Sequence, residues 1–528
     1  MALAALCYLL VAALLFRHLL PVVTTHLFGD LGDPLLNTSI LAWNAKHLPL
    51  TTDWWNFPSF TPLSGVTAFT EHLLGAYPLT SPIIWTTGNP VLAYNVLELA
   101  SITLNGVAAF ALVRELTQSK AGAFVGGLAF AFAPFVGEQV THIQMLCAFG
   151  MPFALLGLHR YVREGKRRHL AWFALGWLDV LLSNAYMLVF FPILVALQAL
   201  WFFREANARR RIPIAAAVIV ATLPAVPLLV GYHVRQAAYG LSRGVDEIRA
   251  MSATFESIAG ISHRAVLWKG WLPDTFNEAS LFPGVAVTTL AFLGVATRRP
   301  RAVFYFAGAI AMWLFALGPE RGPYWLLLQL TGAQSIRVPA RAFLAATLCL
   351  AVCAGFGAAW LAARRGWKWL LPPLALLMIG EAWFVGPTME APTALPLYIP
   401  ANAMVLDLPI SAGYANADAQ HLAVIGTYRV INGYSGYVPA HFAALLDALR
   451  QHRPEAFTPF RQRADLYVIE RPGVEPEFVA WLDSLHDTER LVDMGNWKLY
   501  RLPRLGSGPP PPLLLPLPKP GEVALAVP

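Results

Sequence analysis

Two carboxylates three residues apart open the chemistry of this chain, in the string Phe28-Gly29-Asp30-Leu31-Gly32-Asp33-Pro34-Leu35-Leu36-Asn37. A carboxylate so placed can act as general base on a hydroxyl, or hold a metal ion that activates one. Asp33-Pro34 is also a strong helix start, with Asp at the N-cap and Pro in the first turn. Leu36, Ile40, Trp43 and His47 then follow helical spacing and predict an amphipathic helix lying on a membrane surface. Gly29 and Gly32 would let the backbone approach a ligand closely. The same polar stretch carries Asp53, Trp54, Trp55, Asn56, Glu71, His72 and Tyr77. Aromatic faces stack on sugar rings and carboxylates accept sugar hydroxyl protons. Trp54-Trp55 equally suits an interfacial aromatic belt, and Glu71-His72 a solvated pair.

The complementary positive charge lies three hundred residues later, in Arg337-Val338-Pro339-Ala340-Arg341. The planar guanidinium fork binds phosphate bidentately; pairing with Glu320 or snorkelling to headgroups is the structural alternative. Arg243 belongs to a second polar stretch that also holds Arg235, Arg249, His263, Arg264 and Lys269, with Glu278 at its end as a pairing partner or helix-start anion. His142 with Gln144, and Asn184 with Tyr186, fall at the ends of apolar runs, where polar groups line a shared cavity or cap a helix. Asn95, Glu98 and Asn105 sit inside one such run.

The composition fixes what positions these groups. Of 528 residues, 57% are hydrophobic and 13% charged, about half the roughly 25% charged residues of a soluble domain. Such a chain cannot cover its surface in water, which excludes a cytosolic enzyme, a disordered protein and a fibre. The net charge of +7 sits in short basic clusters between apolar runs, the signature of membrane topology and not of nucleic-acid binding. Cys7, Cys147, Cys349 and Cys353 all lie in apolar runs, so neither a disulfide framework nor a zinc ribbon is expected.

The expected fold is an all-α polytopic membrane protein with about 11 transmembrane helices and a small C-terminal α/β or α+β domain outside the membrane. Predicted spans cover 3–23, 91–113, 121–137, 143–161, 170–183, 187–203, 212–231, 282–296, 302–318, 343–363 and 369–386. With the amino terminus in the cytoplasm, all five basic clusters fall inside. The long loops 24–90 and 232–281 and the carboxy-terminal region fall outside. Segment 73–85, short and broken by Pro78 and Pro82, reads as re-entrant or interfacial. Residues 1–386 thus form the membrane part and 387–505 the outer domain. Strands are expected at 404–408, 466–469 and 497–500, and a helix at 441–450. The tail 506–528 is Pro-rich and expected to be polyproline II or disordered.

This layout resembles the GT-C superfamily of integral membrane glycosyltransferases, and within it the uncharacterised bacterial multi-spanning members. The shared features are a first helix, a long outer loop with an acid at the start of a helix, many spans and a carboxy-terminal outer domain. Asp33-Pro34-Leu35-Leu36-Asn37 is similar to the Asp-Pro-x-x-Asn stretch of oligosaccharyltransferase catalytic subunits, where the aspartate helps hold a divalent metal and the acceptor. Their Trp-Trp-Asp acceptor signature is missing from 387–505, so protein N-glycosylation is not implied. The resemblance implies transfer of a sugar from a polyprenyl-phosphate carrier to an acceptor hydroxyl at the outer face of a bacterial inner membrane, with inversion. The acceptor would be a glycan, lipid or protein, and no nucleic acid is involved. Asp33 or Asp30 would be catalytic, with Asp33 a possible ligand of Mg or Mn. Arg337, Arg341 and Arg243 would bind the donor phosphate. Glu71, His72, Trp54, Trp55, His142, Asn184 and Tyr186 would bind substrate. A glycolipid flippase, or a membrane scaffold with a partner-binding outer domain, is the alternative reading.

Overall fold

A computed structural model describes residues 1–202, 208–275, 278–330, 335–410 and 414–506; nearly all of the proline-rich tail lies outside them. Each of the eleven predicted spans falls on a helix. In chain order these are α1 (Ala2–Leu15), then, after α2 (Asp33–Lys46), α3 (Pro90–Thr117), α4 (Lys120–Ala131), α5 (Gly150–Glu164), α6 (Arg167–Ser183) and α7 (Met187–Phe202). Next come α8 (Ala208–Thr222), continued by α9 (Val226–Ala238), then α10 (Val285–Ala296), α11 (Pro300–Ala316), α12 (Phe343–Ala362) and α13 (Leu371–Glu381). Among the described residues, five helical stretches are long and apolar enough to cross a membrane: Pro90–Thr117, Lys120–Glu138, Ile143–Glu164, Arg210–Ala238 and Pro339–Ala362. Four more, α1, α7, α10 and α11, are apolar but shorter.

Small residues bring the helices together. α12 is the central one, packed by α10, α4 and α11. A Cβ on Gly357 would sit 2.0 Å from the Leu290 carbonyl oxygen, and one on Gly294 2.1 Å from that of Cys353. Backbones therefore touch where side chains would hold them apart, the usual solution where no hydrophobic effect drives association in lipid. Cys349 and Cys353 are free and fully buried in this packing.

Helix α2 departs from the expected amphipathic helix on a membrane surface. Every residue from Pro34 to Ala42 is buried, as is Asn44. It packs on one side against α3 and the helix Tyr77–Thr87, which occupies the segment expected to be re-entrant or interfacial, and on the other against α14 (Ala415–Gly426). Its polar positions are absorbed inside the protein: Ser39 Oγ lies 2.9 Å from His421 Nδ1, and Lys46 Nζ donates to the Val424 carbonyl at 2.6 Å.

The chain beyond the last span returns to its beginning. Strand β1 (His26–Phe28) pairs antiparallel with β2 (Thr388–Glu390). A five-stranded sheet follows, built from β3 (Met404–Leu408), β4 (Arg429–Val430), β5 (Leu466–Glu470), β6 (Glu489–Asp493) and β7 (Lys498–Leu502). Its order is β4-β3-β5-β7-β6, parallel among the first three and antiparallel at β5–β7 and β7–β6. β3 is buried along its whole length; four of its five residues are apolar, and the exception, Asp407, is paired with Arg471.

The α10–α12 contact predicts that Gly357→Leu costs on the order of 3 kcal/mol through overpacking. Gly366→Ala, whose Cβ meets nothing within 4 Å, should leave thermal unfolding in detergent unchanged. The α2–α14 contact predicts a pH dependence. Burial, with Lys46 adding to it, lowers the His421 pKa from 6.5 to about 4. A group so depressed stabilises the fold while neutral. Its contribution is complete above pH 6.5 and lost as pH falls toward 4. The melting temperature should decline across that window, and His421→Gln should flatten the decline.

Candidate active site

A tight turn presents the start of α2. Asp30 Oδ1 accepts a hydrogen bond from the Gly32 amide at 2.8 Å, closing an Asx turn. Gly29 has φ +92°, and a Cβ there would lie 2.6 Å from Thr141 Cγ2. At Gly32 a Cβ would meet the Tyr414 ring at 2.4 Å. These glycines admit neighbouring protein, not the ligand expected for them. Asp30 shapes the turn, and Asp33 is the acid it delivers. Gly32 takes the N-cap position, so Asp33 stands inside the first turn and its carboxylate does not cap the helix.

The Asp33 carboxylate is instead shared between two distant elements. Oδ2 lies 3.2 Å from His142 Nε2, and Oδ1 accepts from the Tyr434 hydroxyl at 3.0 Å. With 34% of its side chain open, it remains accessible to a ligand. His142 Nε2 is 3.8 Å from Glu278 Oε1. Glu278 in turn receives both edges of the Arg341 guanidinium, Nη2 at 2.7 Å and Nε at 2.5 Å. Arg341 is 4% exposed and lies 4.3 Å over the Tyr186 ring, a desolvated cation–π contact. The result is a continuous line of carboxylate, imidazole, carboxylate and guanidinium from the first turn of α2 to the beginning of α12.

The charges are matched. Burial opposes ionisation of Asp33, but the hydrogen bond and charge of His142, with Arg341 and Tyr434 behind them, hold its carboxyl at about 2. Burial likewise opposes ionisation of Glu278, and Arg341, then His142, bring it to about 2. Glu71 goes the other way. Burial lifts its carboxyl above the usual range despite Arg341, His142 and the Ala185 amide nearby.

The other sequence-predicted residues divide. Arg337 flanks Arg341, with Nη1 3.3 Å from Glu247 Oε1. Glu247 also accepts from Arg243 Nη1 at 2.9 Å. Arg243 donates to the Gly436 carbonyl and stacks 3.9 Å over Tyr437, so it ties its loop to the carboxy-terminal unit. Glu320, the alternative partner for Arg337 and Arg341, pairs with Arg249 at 3.0 Å instead. Asn184 is a turn-former: Oδ1 accepts from the Tyr186 and Met187 amides, and Nδ2 donates to the Gln144 carbonyl at 2.7 Å.

Trp54, Trp55 and His72 do not stand with Asp33. Trp54 is fully buried and donates to Asn44 Oδ1 at 2.7 Å, and Trp55 packs beside it under Arg235. Both tryptophans are too deeply buried for an aromatic belt. His72 accepts from the Leu74 amide at 3.2 Å and packs against Tyr232, its pKa brought to about 4 by burial. These three residues form a loop core because that loop has to bury its own apolar surface.

Sequence reading missed Tyr434 and Glu247 and left Glu278 as either a pairing partner or a helix-start anion; it is the partner of Arg341. The string Asn432-Gly433-Tyr434-Ser435-Gly436-Tyr437, aromatic and turn-rich like the first outer loop, was the available signal. The side chains also do not fit a divalent ion. Among the described residues no three His, Cys, Asp or Glu side chains are grouped to hold a metal. Both Asp33 oxygens already have donors, and Glu278 is committed to Arg341.

Comparison with known proteins places this geometry in a familiar architecture. A family model described as a domain of unknown function (DUF6311) matches residues 93–321. No curated protein matches the sequence. Among solved structures, the arabinofuranosyltransferase AftD from Mycobacteria superposes with TM-score 0.59 at 13% identity over 95% of this chain, which spans 40% of AftD. ArnT from Cupriavidus metallidurans in the apo state superposes with TM-score 0.52 at 10% identity, covering 95% of this chain and 97% of ArnT. ArnT bound to undecaprenyl phosphate gives 0.52 at 11%, covering 96% and 99%. The fold is that of the GT-C membrane glycosyltransferases.

Because Glu278 neutralises a guanidinium that is almost wholly buried, Glu278→Gln should destabilise the protein by about 3 kcal/mol, the usual cost of orphaning one partner of a buried ion pair. Glu164→Gln, at a more exposed ion pair, should cost well under 1 kcal/mol in the same unfolding measurement.

Proposed function

We propose that this protein is a glycosyltransferase that moves a sugar from a polyprenyl-phosphate carrier to an acceptor hydroxyl at the extracytoplasmic face, with inversion at the anomeric carbon. The observation that carries the reading is the open Asp33 carboxylate, fixed by His142 and Tyr434 and linked through Glu278 to Arg341 at the head of a long apolar helix. The shared fold with AftD and ArnT, the latter solved with undecaprenyl phosphate, supports the kind of donor.

In this mechanism the acceptor hydroxyl donates a hydrogen bond to Asp33 and attacks the anomeric carbon from the face opposite the phosphate. The bond from that carbon to the phosphate oxygen breaks, and the oxygen leaves with the electron pair. Arg341, with Arg337 beside it, stabilises the negative charge that develops on the departing lipid phosphate. A carboxyl held at about 2 is a weak base, so the proton moves to Asp33 late, as the new C–O bond makes the hydroxyl acidic. His142 and Tyr434 orient the carboxylate throughout. A single attack without a covalent sugar intermediate gives the inverted product. No step uses a metal ion.

Glu71 supports a second assignment of the base, since burial brings its carboxyl closer to neutrality than Asp33. Purified protein given a polyprenyl-phosphate sugar and acceptor should release free lipid phosphate. Asp33→Asn should lower that release by about 10²–10⁴-fold, the worth of a positioned base, with folding and membrane insertion intact. Glu71→Gln should lower it far less. The reverse pattern moves the base to Glu71. Movement of intact donor across a bilayer without phosphate release replaces the enzyme with a flippase.

A further inference from the structure

A second charged site lies at the other end of the bundle. α11 runs antiparallel to α12, with Ala302 against Cys353 and Gly308 against Cys349, and packs on the Pro339–Ala342 turn that carries Arg341, so its first residues, with Arg301, lie a helix length from that turn. α5 starts at Gly150, eight residues after His142, and ends at Arg163 and Glu164. At roughly 1.5 Å per residue, both helices put more than 20 Å between the Asp33 site and this end.

There α5, α7, α8 and α11 enclose a cavity of about 230 Å³. Its polar lining is Arg163, Arg210, Arg301, His159 and Gln198; apolar residues such as Val195, Phe202 and Ile214 form the rest. Arg163 is neutralised by Glu115 and Glu164. Arg210 donates to the Val162 carbonyl and lies against Gly165 at the end of α5, with no carboxylate partner among the described residues. Arg301 makes no ion pair among the described residues. Gln198 is 3% exposed; its amide nitrogen lies 2.9 Å from His159 Nε2, itself 2.8 Å from the Tyr305 hydroxyl. Gln198 Oε1 has no hydrogen-bond partner.

A buried amide oxygen without a donor costs about 1–3 kcal/mol, and among the described residues neither Arg210 nor Arg301, beside these apolar walls, has a carboxylate partner. One ligand satisfies both. The residues beside this cavity on α7 and α8, including Leu200, Trp201, Ile212 and Ile219, are strongly exposed and apolar, as a lipid-facing surface requires. We propose that this cavity is a binding site for one anionic glycerophospholipid. Its phosphate sits between Arg210 and Arg301, its headgroup hydroxyl donates to Gln198, and an acyl chain runs along Val195, Phe202 and Ile214. Basic pockets between helix ends are suited to such headgroups. The site is separate from Asp33 and does not depend on the proposed transfer reaction.

Native mass spectrometry of the full chain, delipidated in neutral detergent and titrated with phosphatidylglycerol or phosphatidylcholine, tests this. One phosphatidylglycerol should be retained at least tenfold more tightly than phosphatidylcholine. Arg301→Gln should weaken it about tenfold or more, the worth of a charge-assisted hydrogen bond. Gln198→Leu, which keeps bulk and removes the amide, should weaken phosphatidylglycerol while sparing phosphatidylcholine, and guards against misfolding of the arginine variant. Asp33→Asn should bind as the parent does. Equal retention of the two lipids, retention unchanged in both Arg301→Gln and Gln198→Leu, or displacement by millimolar glycerol phosphate overturns the proposal.

Discussion

Arg341 is a full positive charge, almost wholly buried, at the mouth of the most enclosed of the five long apolar helices among the described residues. That placement is the constraint on which the rest of the site depends. A charge removed from water at a membrane boundary costs several kcal/mol unless partners follow it. Glu278 follows it bidentately, His142 bridges Glu278 to Asp33, and Tyr434 closes the far side of Asp33. Each member is tolerable there only because its neighbour is charged or donates. Five segments remote in sequence are thereby fixed relative to one another without a ligand.

The carboxy-terminal unit is part of this arrangement and not an appendage. It supplies Tyr434 to Asp33, the Gly436 carbonyl to Arg243 and the His421 ring to Ser39 on α2. The antiparallel pairing of β1 with β2 brings the chain beyond the last span back beside the turn that holds Asp30 and Asp33. Helix α2 is consequently packed by membrane helices on one side and by α14 on the other, and its first turn lies where both meet. Any ligand that reaches the Asp33 carboxylate therefore passes protein from both units.

The two charged sites follow different logic. Around Asp33 nearly every ionisable group has a counter-charge, and the opening is at the carboxylate. At the far end of the bundle Arg210 and Arg301 stand beside an apolar wall with no carboxylate partner among the described residues. The first pattern suits transient substrates, which must leave; the second suits a resident ligand that supplies the missing anion.

Hydropathy and the clustering of basic residues were sufficient to locate the helices, because burial of backbone in lipid forces continuous apolar segments that no loop can imitate. The mainly apolar runs at 404–408 and 466–469 showed two sheet strands for a similar reason: a strand covered on both faces has few polar positions, and the one in 404–408, Asp407, needs its ion pair with Arg471. Residue type also marked Asp33, Arg341, His142 and Tyr186 as able to do chemistry. Their grouping was not legible. Nothing local distinguishes Trp54, which fills a loop core, from an aromatic that faces a sugar, or Asp30, which closes a turn, from Asp33, whose carboxylate stays partly open. Tyr434 joins Asp33 across four hundred residues of chain. The amino-acid order alone determined which segments must leave water; only the tertiary structure decided which charges meet, because pairing depends on distances that chain separation does not encode.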